Sequence, residues 1–229
     1  MDNIVKVTAE KVYRRKLFTR IVKMALLVLL LFFSILYLIL YVVNSKGYFT
    51  IKLDKNLKSE RHILLSSDSE FSAETVEIKV KGLEYMDNIT EGWIPFDSLI
   101  SKEGDHSEDN YIAYTFFVKN DGKENVSYKS KIVIESVIKN VDEAVRVALY
   151  TNGEKKVYAK KAKDGKAEPN TISFLSNHLI MQQDRNNIKP GEIDRYTVIV
   201  WLEGKDPECI DDIIGGEMKM SMIITEKTD

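Results

Sequence analysis

Hydrophobic and polar positions follow two different rules along this chain, and the rule changes near residue 44. From Met24 to Val43 the run MALLVLLLFFSILYLILYVV holds 20 residues without a charge, 15 of them Leu, Ile, Val or Phe. A helix of that length rises about 30 Å, the thickness of the hydrocarbon layer of a bilayer. Every face of it is apolar, so it has no polar stripe to turn to water, and the pattern predicts a transmembrane helix rather than a core helix.

Beyond Asn44 the period shortens to two, the spacing of a strand with one buried face. Tyr48 to Leu53 alternates and stops at Asp54-Lys55-Asn56; Glu74 to Val80 sets Val76, Ile78 and Val80 against Glu77 and Lys79. Tyr111 to Lys119 turns Ile112, Tyr114, Phe116 and Val118 inward and ends at Asn120-Asp121-Gly122, which reads as a tight turn of positive φ. Tyr128 to Val137 follows, then Ala144 to Tyr150 and Lys156 to Lys160, joined through Asn152-Gly153, the strongest local signal for a hairpin. Thr171 to Phe174 is a short strand, Asn177 to Arg185 an irregular or briefly helical connection, and Asp194 to Leu202 and Glu217 to Ile224 are strands. Many short strands with regular turns predict a mainly β chain: an antiparallel β-sandwich, jelly-roll or Ig-like, preceded by one transmembrane α-helix. The less patterned stretch from Gly82 to Asn110 is an excursion of that sandwich.

Charge orients the helix. Residues 1–23 carry seven Lys or Arg against Asp2 and Glu10, while the chain as a whole has a net charge of -2. Basic flanks are retained in the cytoplasm, which predicts a cytoplasmic tail (1–23), a membrane-spanning helix (24–43) and an extracytoplasmic β-sandwich domain (44–229) in a single-pass cell-membrane protein. Cleavage as a signal peptide near Val43-Asn44-Ser45 is the competing reading, but the apolar run is longer than a signal peptide needs. The acidic remainder excludes a nucleic-acid partner, since such binding needs clustered cations facing phosphates. The expected partners are the bilayer, through residues 24–43, and proteins or further copies of the chain along sheet edges.

Candidate chemistry is sparse. Cys209 is the single cysteine, so no internal disulfide is possible, and His62, His106 and His178 stand far apart with no zinc motif around them. The richest segment is the loop from Glu203 to Gly216. Asp206-Pro207 there predicts a capped short helix, Glu208, Asp211 and Asp212 suit its start, and Gly215-Gly216 ends it. The same carboxylates, Glu203, Asp206, Glu208, Asp211 and Asp212, are weak calcium candidates, because the ladder of an EF-hand is missing. An acid/base pair drawn from them is weaker, since an open loop lacks the burial that shifts a pKa. The acidic run Glu103 to Asn110 and the lysines between Lys155 and Lys166 read as solvated segments. The expectation is a protein with no catalytic residues and no cofactor.

Three stretches, YTFFVKNDGKENVSY (114–128), NVDEAVRVALYTNGEKKVYAK (140–160) and VIVWLEGKDPECIDDIIGG (198–216), together with the amino-terminal anchor, resemble exported surface proteins of Gram-positive Firmicutes, in particular the TasA and camelysin group of biofilm-matrix proteins. That resemblance implies a jelly-roll-like sandwich, export and, for some members, fibre assembly by strand donation. A peptidase activity attached to some relatives finds no zinc-peptidase motif in this chain. The long basic tail and the retained anchor depart from the group and weigh against free release into a matrix.

Overall fold

A computed structural model describes residues 9–44, 49–83 and 85–227. Residues 1–8 of the basic segment, Ser45 and Tyr48 lie outside the described residues. Residues 1–46 and 47–229 form two separately compact units.

The described residues of the first unit form one helix, α1 (Ala9–Asn44), which continues the apolar run back through the basic segment. Within it Lys11–Leu40 is long and apolar enough to cross a membrane, and its side chains are exposed. Thr19 and Ser34, polar residues in this span, donate to the carbonyls of Arg15 and Leu30 at 2.8 and 2.9 Å. Their hydroxyls are thereby satisfied inside the helix, as a lipid environment requires.

The described residues of the second unit form twelve strands. They are β1 (Phe49–Leu53), β2 (Ile63–Ser66), β3 (Glu77–Val80), β4 (Gly104–Asp105), β5 (Tyr111–Asn120), β6 (Val126–Ile138), β7 (Val145–Thr151), β8 (Glu154–Ala159), β9 (Ile172–Ser173), β10 (Leu179–Ile188), β11 (Ile193–Leu202) and β12 (Glu217–Glu226). Short helices α2 (Lys55–Ser59) and α3 (Phe96–Leu99) lie between them, the first capped by Asp54, which accepts the Asn56 N–H at 2.8 Å. One sheet has five strands in the order β10-β6-β12-β1-β3; the other runs β2-β5-β11-β7-β8-β9, with β4 also on β5. Their facing sides hold the main core, centred on Phe49, Ile51, Phe116, Tyr128, Ile132, Tyr196 and Met222.

The sandwich is as expected, but both sheets are mixed. β1 runs parallel to β12 and β8 parallel to β9. Such pairs need a long connection, and β1 and β12 stand at opposite ends of this unit, so no local signal announces them. Two further readings are corrected. The stretch from Asn177 to Arg185, expected as a connection, falls largely within β10 (Leu179–Ile188), whose sequence LIMQQDRNNI lacks alternation and owes its strand to pairing with β6. Asn120-Asp121-Gly122 is not a hairpin turn, because β5 and β6 belong to different sheets and none of the three has positive φ. The buried Asn120 side chain shapes this crossing instead. It donates to the carbonyls of Glu124 and Ile188, both at 2.8 Å, and accepts the Gly122 N–H at 2.9 Å.

The Asn152-Gly153 hairpin forms as read: Thr151 pairs with Glu154, and the two turn residues have φ of 50° and 90°. The excursion from Gly82 to Asn110 covers the outer face of the larger sheet. Ile89, Ile94 and Leu99 build a second core there with Tyr111, Ala148, Tyr150, Ile199 and Trp201. β5, β7 and β11 are consequently buried on both faces, although their sequences alternate.

Candidate functional site

β11 leaves the larger sheet beside the starts of β5 and β7, and the segment 203–216 closes this end of the sandwich before β12 begins. Backbone bonds hold its first residues: Glu203 N–H donates to the Ala144 carbonyl at 2.9 Å and Gly204 N–H to that of Ile89 at 2.8 Å. Asp206 Oδ1 accepts the Glu208 N–H at 2.8 Å, the contact of an N-cap, and Cys209 N–H reaches the Asp206 carbonyl at 3.0 Å. No helix follows from that turn, contrary to expectation. The segment's one helical piece is a single 3-10 turn, Asp211–Ile213, whose preceding residue Ile210 offers no side-chain cap. Asp206 thus caps its own turn with one oxygen, while its other is engaged by Arg146 and ties the carboxylate into the body.

The segment's five carboxylates separate into three environments. Glu203 is buried beside Trp201, whose indole N–H donates to Glu203 Oε2 at 3.0 Å; the same oxygen accepts the Glu91 N–H at 3.0 Å, and Oε1 accepts that of Lys205 at 3.2 Å. Glu203 therefore pins the excursion to the end of β11. Asp211 and Asp212 are exposed on the 3-10 turn and meet no other carboxylate of the group. Asp206 and Glu208 are buried, which corrects the picture of an open loop, and they converge on Glu168, from the connection between β8 and β9. One oxygen from each of these three lies within 4.8 Å of the others, and among the described residues this is the group placed to hold a metal ion.

Arg146, on β7, stands against this trio. Its Nη2 binds Glu168 Oε2 at 3.2 Å and also Asp206 Oδ2, with all three side chains almost wholly buried. Glu208 Oε1 accepts the Lys163 N–H at 3.3 Å, while Oε2 is buried without a partner. Burial first, and the neighbouring Asp206 next, push the Glu168 carboxyl above its ordinary pKa, against the opposing pull of Arg146. Glu168 and Arg146 carry no local sequence signal. They belong to distant elements, and only the fold assembles them with the loop.

Beside this cluster the same end of the sandwich opens into a cavity of about 530 Å³, lined by Met86, Ile112, Val200, Cys209, Ile213 and Met218 among others. Cys209 is half-buried, and Asn88 Nδ2 approaches its sulfur at 3.4 Å. The lysines after the hairpin are largely paired: Lys155 with Glu91, Lys156 with Glu154, Lys160 with Asp142, Lys163 with Glu143 and Lys166 with Asp164. A surface neutralised in this way makes a poor site for a polyanion.

Comparisons add little. No family model matches the chain, and no curated protein matches its sequence. Among solved structures, β-glucosidase from Kluyveromyces marxianus in complex with glucose is 12% identical with a TM-score of 0.28, covering 73% of this chain and 16% of that one. The selenomethionine-labelled form of the same enzyme gives 10% identity, a TM-score of 0.29 and coverages of 73% and 17%. The matches span 16% and 17% of those chains' length, and superpositions this loose carry no inference about chemistry.

Proposed function

We propose that this chain is a membrane-tethered, non-catalytic module that displays a β-sandwich outside the cell and associates with partner proteins or further copies through a sheet edge. The observation that carries the reading is β10. It is ten residues long, pairs with β6 on one side, and ends its sheet on the other, whereas the edge strands β3, β2, β4 and β9 have four residues or fewer. An edge of that length presents a row of backbone donors and acceptors to an added strand.

The exposed apolar span of α1 supports the tether, since fifteen Leu, Ile, Val and Phe side chains between Met24 and Val43 have no place in water. The basic residues before it favour a cytoplasmic amino terminus. The likeness to the TasA and camelysin group belongs to this same proposal and agrees with assembly as the outcome.

Two measurements test it. Protease added to intact cells should digest residues 47–229 and spare the amino-terminal segment; full protection, or recovery in the cytosol, refutes the tether. Sedimentation of the full chain in detergent should reveal species above the monomer. Gln182→Lys with Asp184→Lys, which sets like charges against each other when two β10 edges meet, should dissolve them. A strictly monomeric wild-type chain refutes assembly through this edge.

The cavity at the end of the sandwich favours a second reading, in which the body binds a small, largely apolar ligand at Met86, Ile112 and Met218. Stabilisation of the folded chain by envelope lipids or wall fragments, lost when Met218→Trp fills the space, distinguishes it.

A further inference from the structure

We propose that Glu168, Asp206 and Glu208 form a binding site for a divalent, oxygen-seeking cation, calcium foremost. Charge is the first argument. The three buried carboxylates meet one buried cation, Arg146, which binds Glu168 and Asp206. Neighbouring charges do not make up the difference: Lys163 contributes its backbone N–H while its ammonium lies 3.7 Å from Glu143, and Asp164 is paired with Lys166. Two negative charges are thus left without a counter-charge where desolvation makes them expensive, and one divalent ion cancels them.

Glu208 supplies the second, independent argument. The residue is 8% exposed, and its Oε2 is buried with no hydrogen-bond partner. A carboxylate oxygen so placed forgoes its hydration and receives nothing in return, unless a ligand binds it.

Geometry and donor type choose the ion. Oxygens within 4.8 Å of one another suit a centre bound at about 2.3 to 2.6 Å, the calcium range. No histidine or cysteine belongs to the group, which disfavours zinc, and water or backbone carbonyls would complete the shell. Arg146 repels a metal. It engages Glu168 through Oε2 and Asp206 through Oδ2, however, so Glu168 Oε1, Glu208 Oε2 and further lone pairs remain for the ion.

The site joins the β8–β9 connection to the segment after β11, so an ion there would tie two loops to β7. Thermal unfolding of the full chain in detergent, with calcium chloride, magnesium chloride or a chelator, tests this. At ten times the dissociation constant, calcium should raise the midpoint by roughly 3 to 6 °C. Glu208→Gln should abolish that rise while unfolding cooperatively, and Asp212→Asn should retain it. Equilibrium dialysis with radioactive calcium should count one ion per wild-type chain and none for Glu208→Gln. A midpoint and a dialysis count indifferent to millimolar calcium overturn the proposal, as does equal binding by Glu208→Gln.

Discussion

Tyr128, on β6 of the five-stranded sheet, donates a 2.7 Å hydrogen bond to Asp194 Oδ2, on β11 of the opposite sheet. Asp194 is fully buried and also accepts from Arg185 Nε at 3.0 Å and from Asn152 Nδ2 at 2.7 Å. Tyr196 lies 2.7 Å from the Tyr128 hydroxyl and stacks on Phe116. One carboxylate thus gathers both sheets and the hairpin turn. Tyr128→Phe should cost about 1 to 3 kcal/mol in denaturant unfolding, because a buried acceptor loses its donor while the ring still fills its place.

The same pair of tyrosines sets the alkaline limit. Burial foremost pushes the Tyr196 hydroxyl up to about 12 and raises that of Tyr128 well above its ordinary value. An unfolded chain releases these protons near pH 10 and the folded one keeps them, so stability is full below pH 10 and falls as pH rises toward 12. Ultraviolet titration of tyrosinate should find these two groups silent until the protein unfolds; Tyr196→Phe should weaken the fall.

Arg146 is the counter-charge of a buried trio of carboxylates. Arg146→Met keeps bulk and removes the charge, which should destabilise the fold by about 3 to 5 kcal/mol at neutral pH. Chemical denaturation checks the loss, and a smaller one at pH 5 than at pH 7 would follow from protonation of Glu168, whose carboxyl burial already holds above its ordinary range.

Gly216 sits where an added Cβ would lie 2.8 Å from both the Ile213 carbonyl oxygen and Val141 Cβ. Gly216→Ala should therefore cost about 1 to 3 kcal/mol through overpacking, measured by the thermal midpoint. By contrast Gly92, which has nothing within 4 Å, should accept alanine with little change.

Sequence pattern revealed the elements that carry their own signal. β11 and β12 alternate, the Asn152-Gly153 turn specifies its hairpin, and the run from Met24 to Val43 declares an apolar helix. What escaped depends on partners far away in the chain. β10 is polar and unpatterned, and exists because β6 lies alongside it; β1 meets β12 only after the whole unit has been assembled. The site was legible by half. Asp206 and Glu208 stood out as an acidic loop, but Glu168 and Arg146 look like ordinary surface residues until the fold buries them, and Glu203 turned out to serve Trp201.

The position of β12, between β6 and β1 in the middle of its sheet, makes it a keystone of that layer. The strands that flank it come earlier in the chain but stay unjoined until residues 217–226 are free to pair with both, so closure of the five-stranded layer waits on that segment. Chains lacking these residues would leave β1 and β6 with open flanks, each a template for pairing between chains.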